Sequence, residues 1–255
     1  MCTFLVGRGT DPRWPLVIAA NRDEFYGRRS TGPEVLIDSP RVVGGRDLEA
    51  GGTWLGVRPD GFFAGLTNQP RPPGPAAARS RGEVVLEVLR LGAPGARAWL
   101  EALEPADFLP FNLLFGDAAA LFVAYGRPGS VTRFEEVPAG FHVLPNGELD
   151  TPLFPKVARA RALVDGTLES LEAALADGHT PSDLPAPPPH LSADVFAAVH
   201  RLCVRTFAYG TVSATSVALV PGGVARYHFA PGAPDEVSFL DRTALVNRSA
   251  SAGEP

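Results

Sequence analysis

Two short stretches near the start of the chain decide the fold: MCTFLVG (residues 1–7) and LVIAANRDE (residues 16–24). Each contains an apolar run about as long as one strand, and GTDP between them (residues 9–12) is typical of a turn. We therefore expect a β-hairpin. Its second strand would deliver the NRDE block (residues 21–24) from its end to a position beside Cys2.

Cys2 is one of only two cysteines in 255 residues, and it directly follows Met1. A small second residue permits removal of Met1, which would leave a thiol and a free α-amine on the same residue. In N-terminal-nucleophile catalysis, a terminal amine of this kind activates the adjacent nucleophile. The sequence therefore predicts a catalytic Cys2, and binding of a ligand through its thiolate is the alternative role.

The composition indicates one folded domain. A chain of 255 residues with 45% hydrophobic residues and a net charge of -5 can bury a sizeable core. It has no basic cluster for nucleic acid, no signal-peptide pattern, and no apolar run near the roughly 18 residues that span a bilayer. We expect a single domain over residues 1–255 with a disordered tail from about residue 248, no integral membrane association, and a cytoplasmic location in which Cys2 and Cys203 stay reduced.

Strand and helix signals beyond the hairpin occur in separate blocks. Residues 27–40 are expected to form a loop, and the Gly44-Gly45 and Gly51-Gly52 pairs to lie in tight turns or at close backbone contacts. The SRGE sequence (residues 80–83) is a capping box that predicts a helix start, and one later helix carries an apolar stripe from Val157 to Leu171. Antiparallel strands interrupted by blocks of helices favour an α+β layered fold with two packed sheets and helices outside.

Lys156 is the only lysine beside 22 arginines. It lies at the start of a predicted helix, where the helix dipole is unfavourable for a cation. This position suggests a site that needs a compact ammonium rather than a planar guanidinium, with an ordinary surface lysine as the alternative.

Six motifs in order identify a family resemblance: MCT at the start, NRDE at 21–24, GGTWLG at 51–56, LTN at 66–68, FNLL at 111–114 and YGT at 209–211. Together they resemble the NRDE family, also called the transport and Golgi organisation 2-like family, over nearly the whole chain. The resemblance implies an Ntn-hydrolase fold, a four-layer αββα sandwich of two antiparallel sheets, distantly similar to the choloylglycine hydrolase and penicillin V acylase group. The family has been linked to haem trafficking and to acyl-CoA or lipid metabolism.

The resemblance to the acylase group also implies a catalytic set of Cys2, Arg22, Asp23, Asn68 and Asn146. Arg22 beside the thiol would stabilise the thiolate and lower its pKa. Asp23 would hold the α-amine in position. Asn68 and Asn146 would donate hydrogen bonds to an oxyanion, although both residue types are also common in turns.

Five further residues are candidates for substrate binding: Asn21, Trp54, Asn112, Lys156 and Tyr209. For two of them the alternative is structural. Trp54 is suited to a pocket wall or to the core, and an asparagine such as Asn112 often satisfies backbone groups.

The sequence is compatible with two functions. The first is an N-terminal cysteine amidohydrolase or acyltransferase that acts on a non-peptide C–N bond or a thioester of a small linear molecule, with no cofactor required. The second is a non-catalytic carrier that binds haem or an acyl-CoA-like lipid in the same cleft, with Cys2, His142 or His200 as an axial ligand. The five histidines have no metal-ligand spacing, so no other metal site is expected.

Overall fold

The computed structural model describes residues 2–70, 79–104, 107–127, 133–182, 184, 186–189 and 191–248. In chain order its elements are β1 (Thr3–Arg8), β2 (Leu16–Phe25), β3 (Ser30–Asp38), β4 (Arg41–Asp47), β5 (Leu55–Val57), β6 (Phe63–Asn68), α1 (Arg81–Glu101), β7 (Phe111–Gly116), β8 (Leu121–Gly126), β9 (Arg133–Glu136), β10 (Gly140–Leu144), α2 (Pro155–Leu163), α3 (Leu168–Leu175), α4 (Ala193–Val199), β11 (Tyr209–Val220), β12 (Gly223–Ala230), β13 (Leu240–Asp241) and α5 (Thr243–Asn247).

The strands form two sheets whose neighbouring strands are antiparallel. The first sheet has the order β10-β1-β2-β11-β12-β13, and the second has the order β3-β4-β5-β6-β7-β8-β9. The second sheet follows the chain without a crossover, whereas the first joins the N-terminal hairpin to strands from the C-terminal half. As a result β1 and β2 lie in the interior of the first sheet, with β11 beside β2.

Alternating side chains of the hairpin face the two sides of the first sheet. Phe4, Val6 and Ile18 pack in the core between the sheets, whereas Leu5 and Val17 pack on the opposite face with residues of α2 and α3. Helix α1 covers the outer face of the second sheet with its own apolar residues. The predicted αββα sandwich is confirmed. Within the described ranges, none of the helices combines the length and the apolar character needed to cross a membrane.

The predicted loop over residues 27–40 is wrong, because most of it is strand β3. This strand is at the edge of its sheet, is only partly buried and contains register irregularities, so it lacks the regular apolar alternation of an interior strand. Gly44 and Gly45 were expected at turns or close contacts, and they lie inside the neighbouring strand β4. A Cβ at Gly45 would overlap the ring of Trp54. A close contact, rather than a turn, therefore explains the glycine at this position.

The helical predictions were partly correct. The capping box at the start of α1 is confirmed, because Ser80 and Glu83 cap each other's backbone. The single helix expected to reach Leu171 is instead two helices, α2 and α3, because Gly166 adopts a φ of 99° and Thr167 caps a new helix start. The expected disordered tail lies outside the described residues except for Arg248.

Helix α3 is attached to the first sheet by a polar contact that depends on pH. Glu172 accepts hydrogen bonds from Ser216 and, at 2.8 Å, from Nδ1 of His228. The contact with Glu172 raises the pKa of His228. The stabilisation from this contact is fully present below the pKa of His228 in the unfolded chain, about 6.5. It is lost as the pH rises through the higher pKa of His228 in the folded protein. We expect unfolding free energy to fall by about 1 kcal/mol across this range.

The measurement is urea unfolding at a series of pH values. His228→Gln should remove this part of the pH dependence, whereas the same substitution at the half-exposed His200 should keep it. An unchanged profile in His228→Gln would contradict the prediction.

Candidate functional site

The hairpin places Cys2 and Arg22 next to each other. Thr3 pairs with Asn21 across the two strands, so the next position in the register sets Cys2 opposite Arg22. Both positions are on the face that points between the sheets, in line with Phe4. The predicted adjacency of the thiol and this guanidinium therefore follows from strand pairing.

Strand β2 extends through Phe25, so the NRDE block lies inside the strand rather than after its end. Arg22 and Asp23 are 5% and 2% exposed. Because successive residues of a strand point to opposite faces, the side chains of the block lie on both faces of the first sheet.

A cavity of about 120 Å³ opens beside the half-buried Cys2 thiol. Four other predicted site residues line it: Arg22, Asp23, Trp54 and Asn68. A cavity of this volume is comparable to an engineered protein cavity of about 150 Å³ that binds benzene. The space next to the thiol therefore suits a small group.

Burial raises the pKa of the Cys2 thiol, and the negative charge of Asp23 acts in the same direction. The Arg22 guanidinium and the Asp23 backbone N–H favour the thiolate, but burial outweighs them. Arg22 therefore acts on the thiol in the predicted direction, but burial raises the pKa of Cys2 overall. A thiol that stays protonated needs a base to become a nucleophile.

Asp23 and Lys156 form a buried charged cluster behind the thiol. Asp23 accepts a hydrogen bond of 2.7 Å from Thr211, and Lys156, which is 1% exposed, donates through Nζ to Thr3 at 3.4 Å. Burial raises the pKa of Asp23 and lowers that of Lys156, while the attraction between the two opposes both shifts. Lys156 is therefore a buried part of the site rather than a surface residue.

Trp54 forms one wall of the cavity and supports Arg22. The Arg22 guanidinium lies 4.5 Å from the centre of the Trp54 ring, which is a cation–π distance. The missing side chain at Gly45 leaves room for this ring. The GGTWLG motif thus contributes a support for the cation beside the thiol.

Asn146 and Asn112 lie behind Asn68 rather than on the cavity surface. Asn146 donates from Nδ2 to the backbone oxygen of Asn68 at 2.6 Å. Asn112 donates to the backbone oxygen of Gly147 at 2.6 Å and to Thr67 at 2.9 Å. These bonds fasten the turn after β10 to the second sheet, so both asparagines are placed to position Asn68.

Asn21 and Tyr209 also lie outside the cavity lining. Asn21 donates to the backbone oxygens of Leu175 and Leu202 at 2.9 and 3.0 Å, on the helix side of the sheet. The Tyr209 hydroxyl donates to the backbone oxygen of Asp23 at 2.8 Å. Their contacts hold β2 in place beside the site.

Sequence reasoning missed the residues that close the cavity from the second sheet and α1. Together with the predicted residues, the cavity is lined by Arg28, Asp47, Ser80, Arg81 and Gly82. The signal was present in the glycines: a Cβ at Gly52 would lie 2.6 Å from the backbone of Gly82, so these two glycines let the start of α1 reach the cavity.

The described residues contain no group of three or more His, Cys, Asp or Glu side chains placed to hold a metal ion. The arrangement instead offers a nucleophile, a stabilising cation and a buried carboxylate around one small cavity. These are the parts that acyl transfer to a thiol requires.

Three comparisons place this geometry among known proteins. A Transport and Golgi organization protein 2 homolog from Bos taurus is 29% identical, over 92% of this chain and 91% of its own. Conjugated bile acid hydrolase from Clostridium perfringens shares the fold with a TM-score of 0.52 at 13% identity, covering 98% of this chain and 95% of that one. The Caenorhabditis elegans N-acylethanolamine-hydrolyzing acid amidase ortholog matches with a TM-score of 0.53 at 13% identity, over 97% and 98%.

These two solved structures have the Ntn-hydrolase-like fold that the sequence resemblance implied. At such low identity they establish the fold alone. The family model for Transport and Golgi organisation 2 matches residues 1–228. The chain therefore belongs to the Transport and Golgi organisation 2 family.

Proposed function

We propose that this protein is an N-terminal cysteine hydrolase or acyltransferase that acts on a small amide or thioester. The observation that carries the proposal is the cavity of about 120 Å³ in which the Cys2 thiol, Arg22 and Asp23 meet. The names of the two fold neighbours, a bile acid hydrolase and an amide-hydrolysing amidase, support hydrolysis as the class of reaction.

The reaction would start after removal of Met1. The free α-amine of Cys2 takes the thiol proton, and the sulfur forms a bond to the substrate carbonyl carbon. Asn68 donates to the oxyanion as it develops. The C–N or C–S bond of the substrate then breaks, the departing group takes the proton, and an acyl-thioester on Cys2 remains.

Water completes hydrolysis by attacking the thioester carbon, which releases a carboxylic acid and returns the proton to sulfur. An amine or thiol in the place of water would give acyl transfer instead. Arg22 stabilises negative charge on sulfur in both steps, and Trp54 keeps its guanidinium in place. Asp23, with Thr211 and Lys156 around it, holds the α-ammonium next to sulfur.

The carrier alternatives, haem and acyl-CoA-like lipid, stay predictions. Two of the three axial ligands considered for haem, His142 and His200, are not among the described residues that line the cavity, and its small volume favours a compact acyl group next to the thiol. Both features support the enzyme over the carrier.

Mass spectrometry of the purified protein tests the proposal. The mature chain should begin at Cys2, and brief exposure to phenyl thioacetate should place one acetyl group there. Cys203 is an internal control, since it is 1% exposed and burial raises its pKa to about 12.

Any peptide with a terminal cysteine reacts slowly with thioesters, so the matched control is the same protein unfolded in urea. Folded protein should react faster and should then lose the acetyl group to water. A retained Met1, or equal rates in the folded and unfolded protein, would contradict the proposal.

A further inference from the structure

We infer that the substrate carries an anionic group, a carboxylate or a phosphate, which Arg81 and Arg22 bind at the start of α1. This inference rests on the proposed function and names the substrate class of the same site. Its first observation is that Nη1 of Arg22 is buried without a hydrogen-bond partner among the described residues. A buried charged donor that is unpaired costs free energy unless a ligand supplies the acceptor.

Arg81 is the second observation. It lines the same cavity, and its one side-chain hydrogen bond within the described ranges is from Nη1 to the backbone oxygen of Pro110, at 3.3 Å. It makes no ion pair there, in contrast to Arg28 across the cavity, which pairs with Asp47 at 2.6 Å and with Glu24 at 3.8 Å. Among the described residues Arg81 therefore has no carboxylate at ion-pair distance, and Glu24 attracts it only from farther away.

The carboxylates around the cavity do not fill this role. Asp47 and Glu24 are engaged by Arg28, and Asp23 accepts a hydrogen bond from Thr211. Among the described residues, no carboxylate that lines the cavity lies within ion-pair distance of Arg22 or Arg81. A negative group of a substrate would be stabilised next to these two guanidinium groups.

The start of α1 adds to this positive charge. Ser80 and Gly82 line the cavity beside Arg81, and the first part of the helix runs for more than two turns before its break at Gly92. The N-terminal end of such a helix favours anions through its dipole. The buried and unpaired Nη1 of Arg22 points to a ligand at this end independently of the helix itself.

The small cavity limits what lies between the anion and the reactive carbonyl. An amide with a short acyl group and an anionic group one or two bonds beyond the nitrogen matches this space. Amides of small amino acids, or of aminomethylphosphonate as a phosphate analogue, belong to this class.

Direct binding tests the inference separately from catalysis. In the Cys2→Ala variant, isothermal titration would compare N-acetylglycine, N-acetylaminomethylphosphonate and the neutral N-acetylglycinamide. We expect at least one anion to bind about tenfold to a hundredfold more tightly than the neutral amide, as is usual for charge-assisted hydrogen bonds. The anion that binds more tightly identifies the source of the charge.

Substitution of Arg81 tests the residue assignment. Arg81→Gln in the same background should reduce the preference for the anion over the neutral amide by about tenfold, and Arg22 would account for any preference that remains. Arg81→Lys keeps the charge and should retain part of the preference, which also covers the case in which Arg81→Gln fails to fold. Arg90→Gln is the matched control, because Arg90 lies on the same helix and pairs with Glu87 away from the cavity.

Equal affinity for all three compounds would overturn the inference, as would an anion preference that Arg81→Gln leaves undiminished. Neither result bears on acylation of Cys2, which the mass-spectrometric experiment measures. Failure of acylation together with preserved anion binding would overturn the proposed function and leave the anion site in place.

Discussion

Replacing Cys2 by Ala is expected to reduce kcat/KM for any amide or thioester that the protein hydrolyses by about 10⁴-fold or more, the range seen when a nucleophile is removed. The reason is that no other described cysteine or serine offers a comparable exposed nucleophile at the cavity: Cys203 is buried, and Ser80 is engaged in capping α1. Steady-state kinetics with the wild-type and variant proteins measure the effect. The free energy of unfolding should change by less than about 1 kcal/mol, since the change is small and the side chain is half-buried.

A second variant separates the thiol from the amine. Insertion of a glutamate between Met1 and Cys2 keeps the sulfur but makes the second residue too large for removal of Met1. Loss of the amine as a base should reduce the rate by about 10² to 10⁴-fold. Full activity in the insertion variant would show that another group takes the thiol proton.

Replacing Lys156 by Met is expected to destabilise the protein by up to about 3 kcal/mol, the lower end of the range for breaking a buried ion pair, because it removes one of the two cations, the chain terminus and Lys156, whose attraction offsets the burial of Asp23. Lys156 and Asp23 are 1% and 2% exposed, and attraction between them favours the charged form of each. Urea unfolding measures the loss. Arg90→Met is a comparison for an exposed cation, and it should cost much less than Lys156→Met although Arg90 pairs with Glu87.

The double variant Lys156→Met with Asp23→Asn tests the reason for the loss. If the weaker compensation of the Asp23 charge causes it, the second substitution should restore part of the stability, and the two effects should be non-additive. Additive losses would mean that the two residues act independently, which would contradict the pairing.

The sequence predicted the part of the site that depends on neighbouring strands. Cys2 and Arg22 meet because two adjacent apolar runs pair as a hairpin, and this pattern is local. The residues that close the cavity come from elements distant in sequence. The Gly51-Gly52 pair indicated a close backbone contact, but its partner Gly82 lies some distance along the chain, so the sequence did not indicate that this contact brings Arg81 to the cavity.

The pKa of Cys2 shows a second limit of sequence reasoning. The adjacent Arg22 correctly indicated a favourable charge, but the opposing effect of burial depends on how deeply the two sheets enclose the thiol. Asn146 and Asn112 show a third. Asn112 was a candidate from the FNLL motif and Asn146 from the resemblance to the acylase group, while the direction of their amides depended on backbone oxygens that only the folded chain brings near.

The strand order of the two sheets indicates at which stage of synthesis the residues around the Cys2 thiol come together. Every pair in the second sheet joins consecutive strands, so that sheet can form from a continuous segment early in synthesis. The N-terminal hairpin must wait for β10 on one side and for β11, with Thr211, on the other. We therefore expect the nascent chain to carry an unactivated cysteine until most of the protein has left the ribosome, which would guard it against acylation by metabolites before folding is complete.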